Sequence, residues 1–185
     1  MVVRRALHAA ESVRAVDAPA GAIARAVRRV LGRGKADRLL RGAWLGHPVH
    51  PLLVTVPIGA WVCSAVLDLG FGQRAAARRL VAIGLAATPP TVLVGLADFS
   101  HLDVTQRRVG ILHAVTNTLA ASCFLASTRC RSDRSARAWG LVGLVVLSTG
   151  GALGGHLSYA QGAGVHRWPE DTPAPTVDPA PVEPV

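Results

Sequence analysis

The sequence has little charge and few aromatic rings. Of its 185 residues, 17% are charged, 4% are aromatic and 50% are hydrophobic. Soluble domains carry about 25% charged residues. This composition excludes a chain that is disordered throughout and argues against an ordinary soluble domain. The net charge of +9 is concentrated near the start: residues 1–42 hold ten of the twenty basic residues but only three acids, Glu11, Asp17 and Asp37.

Motifs of enzyme chemistry are also absent from the sequence. The three cysteines form no CxxC pair, so a structural zinc or thioredoxin-like site has no support. No HExxH, GxSxG or P-loop motif occurs, and no pair of intramembrane carboxylates. We therefore assign no catalytic residue and expect an electron carrier or binding subunit rather than an autonomous enzyme. No nucleic-acid partner is expected.

Long uncharged runs are what the sequence does contain. Four of them occur, each close to the roughly 20 residues that a helix needs to cross the hydrocarbon core. The pattern predicts an all-α integral membrane four-helix bundle in the lipid bilayer, within a domain at residues 43–166. A soluble helical core is the alternative, but its helices would show polar faces. The predicted spans are at about 51–69, 79–98, 109–128 and 138–160.

The two ends of the chain differ from the middle. An N-terminal arm, residues 1–42, contains apolar residues at helical spacing between arginines over 21–42 (Ile23, Val27, Val30 and Leu31), which predicts a basic amphipathic helix. This helix lies either on an anionic leaflet or in solvent. Residues 1–20 are expected to be less ordered. The proline-rich acidic tail, residues 167–185, is predicted to be disordered.

Histidines gather on one side of the predicted bundle, called side A because the first span begins there; the opposite side is side B. His113 and His156 fall about one turn inside the third and fourth spans. Ionisable residues in spans usually mark function, and histidine carries protons or binds metal or haem. Interhelical hydrogen bonding is the structural alternative. The other histidines of side A are His47, His50, His101 and His166.

Polar neighbours complete the predicted site. Asn117 shares a helix face with His113, and Asp98, at the A end of the second span, is expected to orient an imidazole. Asp68 closes the stripe of the first span that begins at His50. The paired glycines of the fourth span, at 150–151 and 154–155, form either a packing seam or room for a flat cofactor.

The segment GHPVHPLLVTVPIGAW, followed by Asp68, resembles the opening of the bacterial four-helix membrane family known as DUF2231. The stretches GLADFS, RRVGILHAVTN and GGHLSYAQGAGV resemble later parts of that family, so the resemblance covers roughly residues 43–166. It implies a four-helix membrane protein of unknown function, related to domains that are sometimes fused to a Rieske iron–sulphur domain, and similar in histidine layout to small b-type cytochromes. The positions that match are His47, His50, Asp68, Asp98, His113, Asn117 and His156.

Three hypotheses follow. In the first, the protein binds one b-type haem near side A and transfers electrons, with axial ligands from His50, His113 and His156 and with a separate Rieske-type or other redox protein as partner. In the second, a Zn, Cu or Fe ion binds to His47, His50, His113 and His156. In the third, the chain is a structural partner subunit. A homo-oligomer is compatible with all three.

Orientation is the least determined property. Nine basic residues flank the spans on side A and seven on side B, a small difference for the positive-inside rule. Because the number of spans is even and no signal peptide is recognised, both termini are expected on the same side, with the cytoplasm favoured.

Overall fold

The structure is a computed structural model that describes residues 2–165, which form helices and turns with no strand among them. The predicted tail at 167–185, and His166, lie outside these residues. Three short helices precede the long ones: α1 (Val2–Ala10), α2 (Asp17–Leu31) and α3 (Lys35–Leu40).

Four long helices follow, and their length and apolar composition suit a bilayer span. Only 22% of the most apolar window of each is buried inside the protein, so most of their valine and leucine side chains face lipid. The four predicted spans are confirmed, and the helices begin earlier than expected. Their bounds are α4 (Val49–Gly70), α5 (Arg74–Phe99), α6 (Val104–Arg129) and α7 (Asp133–Ala160).

Polar residues at the helix ends set these boundaries. Asp103 precedes α6 and accepts a hydrogen bond from the Gln106 backbone N–H at 2.8 Å, while the Gln106 side chain accepts one from the Asp103 N–H at 3.2 Å. This reciprocal cap satisfies donors that the first turn leaves unpaired. Ser132 caps α7 with a single hydrogen bond, which its side chain accepts from the Ser135 N–H at 3.1 Å.

The four long helices pack as two hairpins, α4 with α5 and α6 with α7. Trp61 of α4 and Phe124 of α6 stack between the hairpins, with ring centroids 4.3 Å apart and planes 12° apart. Both rings are almost fully buried. Each lies against a glycine of its own hairpin: a Cβ on Gly84 would come within 2.3 Å of Trp61 Nε1, and one on Gly143 within 3.0 Å of Phe124. The missing side chains therefore make room for the central aromatic stack.

The N-terminal arm, whose residues 1–20 are expected to be less ordered, begins with a helix at Val2–Ala10. Ala10, at the end of α1, is buried against Val109 and Leu153, because small apolar residues let α1 approach the bundle closely. In α2 the buried face is formed by Ala20 and Ala24, not by the larger apolar residues of the predicted amphipathic stripe.

We predict that Gly84→Ala destabilises the bundle. The new methyl group would overlap the Trp61 indole, and overpacking of this kind costs about 1–3 kcal/mol. The melting temperature in mild detergent should fall. Gly59→Ala is the matched control, because a Cβ there meets nothing within 4 Å. Equal melting temperatures for the two variants would contradict the close packing of Trp61 on Gly84.

Candidate functional site

Two imidazoles lie in an edge-to-face arrangement between the hairpins near side A. The ring centroids of His50, on α4, and His113, on α6, lie 6.2 Å apart with an interplanar angle of 80°. Each ring donates a hydrogen bond from Nδ1 to a backbone carbonyl on the second helix of its own hairpin: His50 to Thr91 at 3.1 Å, and His113 to Gly150 at 2.9 Å. In this tautomer Nε2 of each ring keeps its lone pair.

Glycine makes these hydrogen bonds accessible. In α5 the Thr91 carbonyl lies one turn before Gly95, and in α7 the Gly150 carbonyl lies one turn before Gly154. A Cβ on Gly95 would lie 2.9 Å from the His50 ring, and one on Gly154 would lie 2.8 Å from the His113 ring. Because a carbonyl oxygen has two lone pairs, it accepts from the imidazole as well as from its own helix once no side chain covers it.

The two hairpins repeat the same contacts. Eleven residues after each histidine lies an aromatic ring of the central stack, and fourteen residues after it lies a serine, Ser64 or Ser127. Both serines donate to the carbonyl three residues back, at 2.8 and 2.6 Å. Each partner helix carries a glycine against the aromatic ring and, eleven residues on, a glycine against the imidazole. Both hairpins start on side A, so the repeat is parallel, about an axis along the membrane normal.

Asn117 lies beside His113, one turn along α6. Its side-chain nitrogen donates to the His113 carbonyl at 2.8 Å and lies 3.2 and 3.3 Å from the two ring nitrogens. Gly150 gives it space, since a Cβ there would lie 2.6 Å from Asn117 Oδ1. Gly150 and Gly154 therefore serve as a packing seam for polar side chains of α6, whereas a Cβ on Gly151 or Gly155 would meet nothing within 4 Å.

The structure places His156 apart from this pair, in a cluster with Glu11 and His8 of the N-terminal arm. His156 is 8% exposed, and its Nε2 donates to Glu11 Oε1 at 2.6 Å. Nδ1 of His8 donates to the same oxygen at 3.3 Å, and the two imidazole centroids lie 5.1 Å apart. The hydrogen bond from His156 is the main reason that the pKa of Glu11 is lowered, so this carboxylate is ionised at neutral pH.

All three acids of the arm contact the bundle. Besides Glu11, Asp17 accepts two hydrogen bonds of 2.7 Å from Arg108, whose guanidinium also donates to the Glu11 carbonyl at 3.0 Å. Asp37, 4% exposed, accepts from His101 Nε2 at 3.2 Å. These contacts hold the arm across the A ends of α5, α6 and α7.

Of the remaining predicted residues, Asp98 and His47 lie on side A and Asp68 lies on side B. Asp98 is 3.9 Å from Arg41 Nε. Asp68 lies at side B, where Arg137 donates two hydrogen bonds to it at 2.8 and 2.9 Å. His47 is exposed. A Cβ on Gly42 would lie only 1.9 Å from the His47 carbonyl oxygen, so the backbone at His47 packs closely on the turn at Gly42, where φ is 88°.

Sequence reasoning missed Glu11, Asp17 and Asp37. The sequence did contain a signal, because the arm has only three acids among ten basic residues. Such isolated carboxylates are the residues of the arm most able to pair with arginine or histidine of the bundle. It also missed the repeat, although the spacing of histidine, aromatic ring and serine is visible in the chain.

These observations define a class: a four-helix integral membrane protein with an internal parallel repeat and partly buried imidazoles near one side. The family model DUF2231, described as a predicted membrane protein, matches residues 46–167, and the chain belongs to this family. No curated protein and no solved structure matches it.

The pairing of Asp17 with Arg108 predicts a pH dependence of arm docking. The hydrogen bonds from Arg108 lower the pKa of Asp17, so the ion pair stabilises the docked arm above the ordinary aspartate pKa and is lost as pH falls through the lowered value. Amide hydrogen exchange in α1 and α2, corrected for its intrinsic pH dependence, should accelerate only below about pH 4.

Arg108→Gln should give this faster exchange already at neutral pH. Arg107→Gln is the control, because Arg107 donates to the Asp103 carbonyl of its own helix start. Unchanged exchange in Arg108→Gln would show that the ion pair does not hold the arm.

Proposed function

We propose that this protein binds one b-type haem between His50 and His113 and transfers electrons within the membrane. The observation that carries the proposal is the pair of imidazoles on different hairpins, each with Nδ1 held by a backbone carbonyl. Histidines that bind metals usually donate their other ring N–H in this way, which fixes the ring and its tautomer.

The spacing of the pair fits a shared metal ion. Metal–nitrogen bonds are about 2 Å long, so two imidazoles on opposite sides of one ion have ring centroids about 6 Å apart. The separation of 6.2 Å agrees with this value. His156 is not needed for such a site, so we propose His50 and His113 as the axial ligands, with Asn117 as a polar neighbour.

The number of ligands favours haem over a bare ion at this position. Structural Zn²⁺ sites use four protein ligands and catalytic ones three. Within residues 2–165, no third histidine, cysteine or carboxylate groups with His50 and His113. Haem requires only axial ligands from the protein, because the porphyrin supplies the other four nitrogens.

The chain's residues would then have distinct tasks. The carbonyls of Thr91 and Gly150 orient the two rings, and their hydrogen bonds raise the basicity of the ligand nitrogens. Haem supplies one-electron chemistry when bound, and the apolar helices exclude water from it. We propose a separate redox protein, of Rieske or another type, as the electron partner.

We predict a visible absorption spectrum of a low-spin b-type haem in protein expressed with haem precursor and purified in detergent. Dithionite should sharpen the Soret band and produce α and β bands. His50→Ala and His113→Ala should each abolish this spectrum, because each removes one axial ligand. His101→Ala is the control, since His101 contacts Asp37 instead of the imidazole pair.

A second pair of variants tests the ring positions without removing a ligand. Gly154→Ala should displace the His113 ring and shift or weaken the bands, whereas Gly151→Ala should leave them unchanged. A colourless wild-type protein with haem in supply, or a spectrum that survives in His113→Ala, would reject the proposal.

We also propose that side A faces the cytoplasm. The arm that covers side A holds half of the basic residues of the chain, which favours retention on the cytoplasmic side. Cys130, at the B end of α6, should then react with a membrane-impermeant maleimide added outside intact cells or right-side-out vesicles. Cys130→Ser is the control, because any labelling that remains in this variant comes from Cys63 or Cys123, which lie within spans. If Cys130 is labelled only after lysis, side A faces the outside and the proposed orientation is wrong.

A further inference from the structure

We propose a second site, for a divalent transition-metal ion of the Zn²⁺ type, formed by His8, Glu11 and His156. It is separate from the imidazole pair between the hairpins and independent of haem binding there. It lies on side A, where the last turn of α1 meets the end of α7.

The ligand atoms already converge. His8 Nδ1, a Glu11 carboxylate oxygen and His156 Nε2 all lie within 4.8 Å of one another. The two contacts to the carboxylate are 2.6 and 3.3 Å long. Ligand atoms that surround one tetrahedral ion at about 2 Å lie about 3–3.5 Å apart. Binding therefore requires the contact between His156 and Glu11 to lengthen from 2.6 Å and His8 to move slightly.

The chemical types of these ligands select the ion. Two imidazoles and one carboxylate form a set that open Zn²⁺ sites use, with a fourth position left for water or another molecule. Imidazole nitrogen favours Zn²⁺, Co²⁺, Ni²⁺ and Cu²⁺ over Mg²⁺ or Ca²⁺, which prefer oxygen ligands. When an ion binds, the proton of each imidazole would move to the other ring nitrogen, so that His8 Nδ1 and His156 Nε2 each offer a lone pair to the ion.

The surroundings hold two of the three ligands in place. His156 is buried at the end of α7. Arg108 donates hydrogen bonds to the Glu11 carbonyl and to Asp17, which fixes the backbone at Glu11. Ala10, next to Glu11, is buried in the bundle. His8 is the accessible ligand, with 58% of its side chain exposed, so an ion reaches the site from water without opening the bundle.

The consequence of binding is mechanical. Two ligands belong to the arm and one to α7, so an ion bound by all three ties the arm to the fourth span. Because the ion binds only the docked arrangement, its binding free energy adds to the stability of arm docking.

The test is isothermal titration calorimetry of ZnCl₂ into the full chain in detergent, purified without a polyhistidine tag. We expect saturation near one equivalent per chain. His8→Ala and Glu11→Gln should each weaken binding at least about tenfold, as losses at metal sites do. His101→Ala is the matched control, a side-A histidine outside the cluster, and should bind as the wild type does.

Replacing Zn²⁺ by Co²⁺ gives a spectroscopic signal that reports coordination of the ion, which hydrogen bonds among the three side chains alone would not produce. The visible d–d bands of the Co²⁺ complex should report low coordination number in the wild type and disappear in Glu11→Gln. No saturable Zn²⁺ binding by the wild type, or wild-type affinity in either His8→Ala or Glu11→Gln, would overturn the proposal. His8→Ala and Glu11→Gln leave the buried His156 unchanged, so a loss of Zn²⁺ binding in these variants is separable from misfolding of the bundle.

Discussion

The cost of an unpaired polar hydrogen in hydrocarbon governs this structure. An imidazole N–H in the bilayer must find an acceptor, and the backbone carbonyls of neighbouring helices are the nearest ones. These carbonyls already accept from their own helices, so a second donor reaches them only where no side chain intervenes. Gly95 and Gly154 meet that requirement, and the helix pairs approach each other where these glycines lie.

This constraint explains why the two hairpins look alike. Each needs a histidine, a carbonyl on the returning helix and a glycine one turn later, and each also needs a second glycine that admits an aromatic ring. The same solution at the same spacing in both halves fits a parallel repeat of the kind that membrane proteins form about an axis along the membrane normal. His50 and His113 thus occupy equivalent positions on either side of that axis.

The sequence predicts the architecture because the bilayer imposes it locally. Four uncharged runs of sufficient length specify four spans without knowledge of tertiary contacts, and chain direction alone then places the histidines on side A. Which histidines meet is a different question. It depends on how hairpins pack and rotate, and neither hydropathy nor depth along the normal contains that information.

His156 illustrates the limit. Its depth matches that of His113, yet its ring contacts Glu11, because the end of α7 where it lies meets the arm and not α4. The docking of the arm rests on alanines of α1 and α2 and on three carboxylates, whose signals are weak when each residue is considered alone. Apolar periodicity selected the large side chains of α2, although Ala20 and Ala24 form its buried face.

The repeat is broken where the arm docks. Asp98, at the end of the first hairpin, corresponds by spacing to Leu157 at the end of the second. Asp98 lies near Arg41 of the arm, whereas Leu157 packs against the apolar clusters that contain Ala10, Ala20 and Ala24. If the A ends of the two hairpins were identical, the arm could dock on them in two arrangements related by a rotation of half a circle about the repeat axis. Because one hairpin presents a charge and the other an apolar surface, only one of these arrangements is favourable.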